Sequence, residues 1–363
     1  MKNWVKYNIS IKNLVITFLI VAAGFVVTEF TKQSAHTAYY QVQVEAAQIM
    51  SESLQAIREE RESKGIPINE ELDPNKTGII GEEYTPLTTT LGNLAAKRTS
   101  ANPDFAALMV KYFKQTGLEV GDIIAIGSSG SFPALVIATL SACEAMEITP
   151  LMIYAIGASE YGATIPDFTF IEMLEILNQK DILPYQLLAV SMGGNNDQAE
   201  TMLYPESQEV IREIAQRSNS FFIDIDNLAD NIQSRMKLYQ KATGGKPIKL
   251  FVNIGGASVN YGNTTASITY PNGLITNGPE IPGHPEQGLI FEYQSLGLPV
   301  IHLLNIRDLA LKNGIPIDPI PLPEIGQSGI FMELKYQKWI IFLTLLISMI
   351  FLFLARKKQV KGV

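Results

Sequence analysis

Two long apolar runs bracket a chain whose middle alternates short hydrophobic strings with amphipathic stretches. Residues 14–30 are interrupted only by Thr17, Gly24, Thr28 and Glu29, and about 17 residues is near the minimum that spans hydrocarbon. Residues 339–355 are dominated by Ile, Leu, Phe and Met, with Tyr336 and Trp339 at one end and Arg356, Lys357 and Lys358 at the other. That is the aromatic-and-basic flanking of a second span. Between them, Tyr39, Val42, Ala46, Ile49, Leu54 and Ile57 recur at helical spacing, so residues 38–64 read as an amphipathic juxtamembrane helix. From residue 121 a unit repeats: a buried strand, a loop of small polar residues, a helix. The strands are expected at 122–126, 151–156, 186–191, 249–254 and 299–303, and the helices at 133–146, 169–180, 206–217, 227–242 and 306–313. Strands alternating with helices at this spacing predict an α/β fold, a doubly wound, mostly parallel sheet over residues 81–314. Pro316, Pro319, Pro321 and Pro323 make residues 315–337 an extended tether to the second span.

Charge gives this arrangement a direction. The ends carry Lys2, Lys6, Lys12, Arg356, Lys357, Lys358 and Lys361 and no acid, so removing those 7 from 28 bases leaves 21 against 36 acids, a net −15 for the middle. Basic flanks stay in the cytoplasm. Residues 1–13 and 356–363 are therefore expected as cytoplasmic tails of a double-pass protein of the cell membrane, with its main domain extracytoplasmic. Small residues at 34–38 also permit a cleaved leader, which exports the following chain equally. An acidic middle excludes nucleic acid as a partner and leaves the lipid bilayer to the two spans. The lone Cys143 excludes a disulfide framework.

In a parallel sheet the loops after the strands share the carboxyl edge, where ligands bind at the switch in strand order. The candidates gathered there are Ser128, Ser129, Gly130 and Ser131; Ser159 and Glu160; Gly193, Gly194, Asn195, Asn196 and Asp197; and Ser258 and Asn260. Such residues also end strands simply because they make turns. The first loop precedes Pro133 at a helix start, where amides and hydroxyls favour an anion. It is not a dinucleotide fingerprint, a P-loop or a nucleophile elbow. With only His36, His284 and His302, and no paired spacing among them, neither a metal nor a cofactor is expected. A triad of Ser131, Asp197 and His284 is conceivable by location. Lys97, Arg98 and Arg307 are the basic groups available to an acidic ligand.

Four blocks carry a family resemblance: Thr85-Pro86-Leu87-Thr88-Thr89-Thr90-Leu91-Gly92, Ala96-Lys97-Arg98-Thr99-Ser100, Gly130-Ser131-Phe132-Pro133-Ala134-Leu135, and Gly157-Ala158-Ser159 followed by Tyr161-Gly162-Ala163. In this order they resemble the poly-γ-glutamate system protein family, with Tyr161 where the family has Trp. Residues 322–326, Leu-Pro-Glu-Ile-Gly, also look like a sortase signal, but Ile325 stands where that signal needs Thr. The poly-γ-glutamate resemblance implies a bacterial membrane accessory of capsule-type polymer synthesis and export. Its implied partners are poly-γ-glutamate or a γ-glutamyl chain and other membrane components of that system. Two functions follow as expectations: a binder of the polymer or of a synthesis partner, and a serine-dependent hydrolase or transferase of γ-glutamyl chains.

Overall fold

Pairing of the apolar strings builds a single seven-stranded sheet. The computed structural model describes residues 6–200 and 202–359 of the chain; Lys2 and Lys361 lie outside the described residues. The chain divides into two units, Tyr39–Phe331 and the joined ends Met1–Ala38 with Met332–Val363.

In the larger unit the sheet strands are β1 (Ile123–Ser129), β2 (Thr149–Ala155), β3 (Ala189–Ser191), β4 (Phe221–Ile223), β5 (Ile248–Ile254), β6 (Gly273–Ile275) and β7 (Val300–Leu303). Their order is β6-β7-β5-β1-β2-β3-β4, with all neighbours parallel except β6 against β7. The protein is thus mixed α/β with a large, mostly parallel sheet. Successive strands run outward from β1 to β4, and then the chain returns to place β5 on the other side of β1. The order therefore reverses between β1 and β5.

Period-2 alternation sends side chains to two cores. Ile124, Ile126, Met152, Tyr154, Val190, Leu250 and Val252 pack on one face with helices Tyr40–Ser63, Asp104–Thr116, Pro133–Ala145 and Phe170–Gln179. Ala125, Ile153, Ala189 and Phe251 pack on the other with Leu228–Ala242 and Leu289–Ser295. Both faces of the central strands are covered, which explains why their sequences are continuously apolar rather than alternating.

Several boundaries differ from the sequence reading. β1 extends through Ser128 and Ser129, because the ladder continues to Tyr154, Ala155 and Ile254 after the apolar residues end. The short strands β4 and β6 lie at the sheet edges, where a few paired residues suffice and an apolar string of two or three residues, Phe221-Phe222-Ile223 or Leu274-Ile275, is too short to set them apart. Helix Tyr40–Ser63 belongs to the core: Ala46, Ala47, Met50 and Ile57 are fully buried. Buried Arg61 on that helix donates to the carbonyls of Gly78, Ile80 and Pro67, tying down the following loop. The proline-rich segment is held at both ends, where Ile315 before it and Ile330 and Phe331 after it are buried, while Pro316, Pro319 and Pro323 are half-buried and Pro321 is exposed.

In the smaller unit, helices Ile11–Phe30 and Lys338–Ala355 are each long and apolar enough to cross a membrane. They pack against each other where Gly24 faces Thr344; a Cβ on Gly24 would lie 2.2 Å from Thr344 Cγ2. Strand Gln33–His36 pairs antiparallel with Met332–Lys335 at one end of this helix pair, and Lys6–Asn8 pairs with Lys357–Gln359 at the other.

Candidate functional site

The reversal between β1 and β5 opens a cleft of about 480 Å³ at the carboxyl edge of the sheet. Four strand-end segments reach it, contributing Ser129 at the end of β1 and Ser131 after it, Gly157 and Ser159 after β2, Gly194 and Asn195 after β3, and Gly256 and Ser258 after β5. A fifth segment comes from before the sheet. Strand Thr88–Thr90 pairs in parallel with Ala158–Ser159, bringing Thr89, Thr90, Gly92 and Asn93 onto the rim.

Asn93 then caps helix Leu94–Ser100, its side chain accepting from the Ala96 amide at 2.8 Å. One turn later the helix presents Lys97. This side chain is only 2% exposed, yet it lines the cleft. Its Nζ donates to the Ser131 carbonyl and to Ser159 Oγ at 2.7 Å, and it sits 4.1 Å from the centre of the Phe132 ring. Among the described residues Lys97 makes no ion pair. Burial pushes its pKa down to about 7, against the opposing pull of the Glu160 charge. Glu160 is held by the Gly92 amide at 2.8 Å through one carboxylate oxygen, while the other is buried without a protein partner.

Ser131 and Ser159 are locked together, since Ser131 Oγ accepts from the Ser159 amide at 3.0 Å. Ser129 Oγ is buried in the cleft wall with no protein partner. Two close approaches involve glycines next in sequence to lining residues. A Cβ on Gly130 would meet the Ile156 carbonyl at 2.7 Å, and one on Gly255, where φ is +86°, would meet Ser129 Oγ at 2.6 Å.

The remaining sequence candidates are placed elsewhere. Asp197 is buried and accepts from Ser191 Oγ, the Gly193 amide and Asn231 Nδ2, and it pairs with fully buried Arg235 at 2.7 Å. Both of its oxygens are taken up by these buried partners, so it shapes the Gly193–Gly194 turn from behind rather than facing a ligand. His284 is exposed in its loop, accepts from the Glu286 amide at 3.1 Å, and does not line the cleft. Ser131, Asp197 and His284 are therefore not brought together as a triad. Arg98 is paired with Asp318. Ser128 and Asn260 are buried outside the cleft, Asn260 packing where a Cβ on Gly127 would be, 2.4 Å from its Oδ1. Nor do any three of His, Cys, Asp and Glu cluster to hold a metal ion among the described residues.

Sequence reasoning missed Thr89, Thr90, Asn93, Phe132 and Leu304 as cleft residues. The run Thr88-Thr89-Thr90 was the available signal, three β-branched hydroxyl residues just before a capping Asn. No family model, curated protein or solved structure matches the chain.

Proposed function

We propose that this protein is a double-pass membrane accessory of poly-γ-glutamate synthesis and export, whose extracytoplasmic, doubly wound α/β domain holds a carboxylate-bearing γ-glutamyl chain in the cleft. The observation that carries the reading is Lys97: a buried cation that makes no direct ion pair among the described residues and lines an open cleft at the switch in strand order. Desolvating an ammonium costs several kcal/mol unless an anion or dense hydrogen bonding offsets it, and a ligand carboxylate supplies what the protein leaves out. The hydroxyls of Ser129, Ser131 and Ser159 and the small-residue loops give the chain polar walls at close approach. The four sequence blocks that carry the family resemblance agree with this placement, because each contributes to the cleft: Thr89, Lys97, Ser131 and Ser159 come one from each block.

Affinity for short γ-glutamyl oligomers, measured by calorimetry on the full chain in nanodiscs, tests the reading. Lys97→Met is expected to remove a charge-assisted hydrogen bond of about 1.5–3 kcal/mol, weakening binding roughly 10- to 150-fold. Undiminished affinity in a folded Lys97→Met protein overturns it.

Membrane placement is testable separately. The basic ends imply that both termini are cytoplasmic. A reporter active only outside the cytoplasm is expected to work when inserted at Gly65, which lies in an open turn after helix Tyr40–Ser63, and to fail when fused after Val363. Activity of the second fusion sinks the double-pass topology.

A further inference from the structure

Ser159 and Lys97 are 62 positions apart in sequence, and their polar atoms meet at 2.7 Å inside the cleft. Three features set this pair apart from an ordinary buried hydrogen bond. Both residues line an open cavity, although their contact is buried. The amine is fixed from a second side by the Ser131 carbonyl and from a third by the Phe132 ring. The serine backbone is fixed in turn by Ser131 Oγ, so neither partner needs to reorganise to stay in register.

We propose that Ser159 is a nucleophile activated by Lys97, and that the cleft carries out acyl transfer from an amide or ester donor. The proposal rests on the preceding reading only in placing a substrate chain in the cleft. It assigns the chemistry to Ser159, with Ser131 as a positioning residue. Ordinary serine hydroxyls are poor nucleophiles and need an adjacent base. Neutral Lys97 is that base: it keeps one N–H on the Ser131 carbonyl and turns its lone pair toward the Ser159 hydroxyl. Burial that brings the lysine to about neutrality leaves much of it in this form at physiological pH.

In the forward step Ser159 Oγ forms a bond to the acyl carbon while its proton passes to Lys97 Nζ. The tetrahedral adduct then collapses: the bond from carbon to the leaving nitrogen or oxygen breaks, and Lys97 returns the proton to the departing amine or alcohol. The product is a Ser159 ester. Water, or a second amine, next attacks that ester, giving its proton to Lys97, and Ser159 leaves as the alcohol by taking that proton back. Nothing is oxidised or reduced, and the amine is neutral at both ends of the cycle. In this proposal the donor to the acyl oxygen is Ser129 Oγ, a buried hydroxyl of a cleft residue that has no protein partner among the described residues.

The two forms of Lys97 serve different registers of a bound chain. The ammonium form holds a carboxylate, whereas the amine form needs a carbonyl over Ser159. Binding and acylation are therefore expected to have opposite pH dependences, which separates the two readings experimentally.

The test uses the full chain in nanodiscs with p-nitrophenyl acetate as the acyl donor, following p-nitrophenolate release and mapping the acetylated peptide by mass spectrometry. The expected result is a burst with acetyl on Ser159, its rate rising about tenfold per pH unit until the pH passes about 7 and then levelling. Ser159→Ala removes the label, whereas Ser131→Ala, which loses the contact that holds the Ser159 backbone, still labels residue 159 but more slowly. Lys97→Met slows acylation at least 100-fold and flattens the pH profile, while Ser159→Cys, which supplies its own thiolate, keeps a labelled residue 159 and guards against misfolding as the cause. An absent label, or a label on Ser131, in protein that still binds γ-glutamyl oligomers overturns the nucleophile and leaves the binding function standing. Acylation at Ser159 in protein that binds no such oligomer overturns the γ-glutamyl reading and leaves the nucleophile standing.

Discussion

Replacing Asp197 by alanine is expected to destabilise the large unit by about 3–5 kcal/mol, among the largest losses a single substitution here produces. The reason is the partner left behind. Arg235 is fully buried and donates to both Asp197 and Ser191, while Asn231 joins the same cluster from the preceding helical turn. Removing the carboxylate strands a guanidinium that cannot lose its proton. It also removes the acceptor of the Gly193 amide, in a turn where Gly193, Gly194, Asn196, Asp197 and Ala199 all have positive φ. Chemical denaturation of wild type, Asp197→Ala and the double variant Asp197→Leu with Arg235→Met measures the effect. The double variant is expected to recover much of the loss, because a buried ion pair replaced by apolar groups of similar volume is often near neutral. A stable Asp197→Ala protein that has lost only activity would instead restore Asp197 to a catalytic role.

Gly130→Val is the second large effect, and its cause is contact rather than backbone conformation. Gly130 does not have positive φ, but an added Cβ would lie 2.7 Å from the Ile156 carbonyl oxygen, 2.9 Å from Ala158 Cβ and 2.9 Å from Tyr154 Oη. Two of the three belong to the segment that leads into Ser159. Real side chains do not approach backbone this closely, so that segment must move, at an overpacking cost of about 1–3 kcal/mol. The motion pulls Ser159 away from Lys97 and disturbs the Gly130 amide, which donates to the Ala155 and Gly157 carbonyls. Binding of γ-glutamyl oligomers is expected to fall below detection while circular dichroism still reports a folded α/β protein. Ser131→Ala, which removes one hydroxyl and adds nothing, is expected to cost only about 1 kcal/mol of stability. Equal binding by Gly130→Val and wild type would mean that the ligand does not use this wall.

How far the sequence reveals this fold and site can be judged from these same residues. The central strands are legible because burial on both faces writes a continuous apolar string, and their helices because an amphipathic period follows each one. The reversal of strand order is not written locally; it arises when β5 pairs with β1 across more than a hundred residues. Edge strands β4 and β6 are too short to carry a pattern. The carboxyl-edge rule does gather Ser129, Ser131, Ser159, Gly194, Asn195 and Ser258 into one cleft. It cannot say which polar residues face inward, and so it groups Asp197 with them, although its partner Arg235 comes from a helix 38 positions away. Lys97 reads as a solvated surface charge from its neighbours alone. Its burial follows from the pairing of Thr88–Thr90 with Ala158–Ser159, a two-residue contact with no sequence signature.

The central claim is that Lys97 in its charged form holds a carboxylate in this cleft, and proton linkage tests it most directly. With a free-state pKa near 7, Lys97 must take up a proton to bind an anion above that pH, and none below it. Calorimetric titration of the full chain with a γ-glutamyl oligomer from pH 6 to pH 9 is expected to show constant affinity on the acid side and a loss approaching tenfold per pH unit above about 7. Lys97→Met should bind weakly with no such slope. Affinity that stays level across the range and survives Lys97→Met would contradict the account.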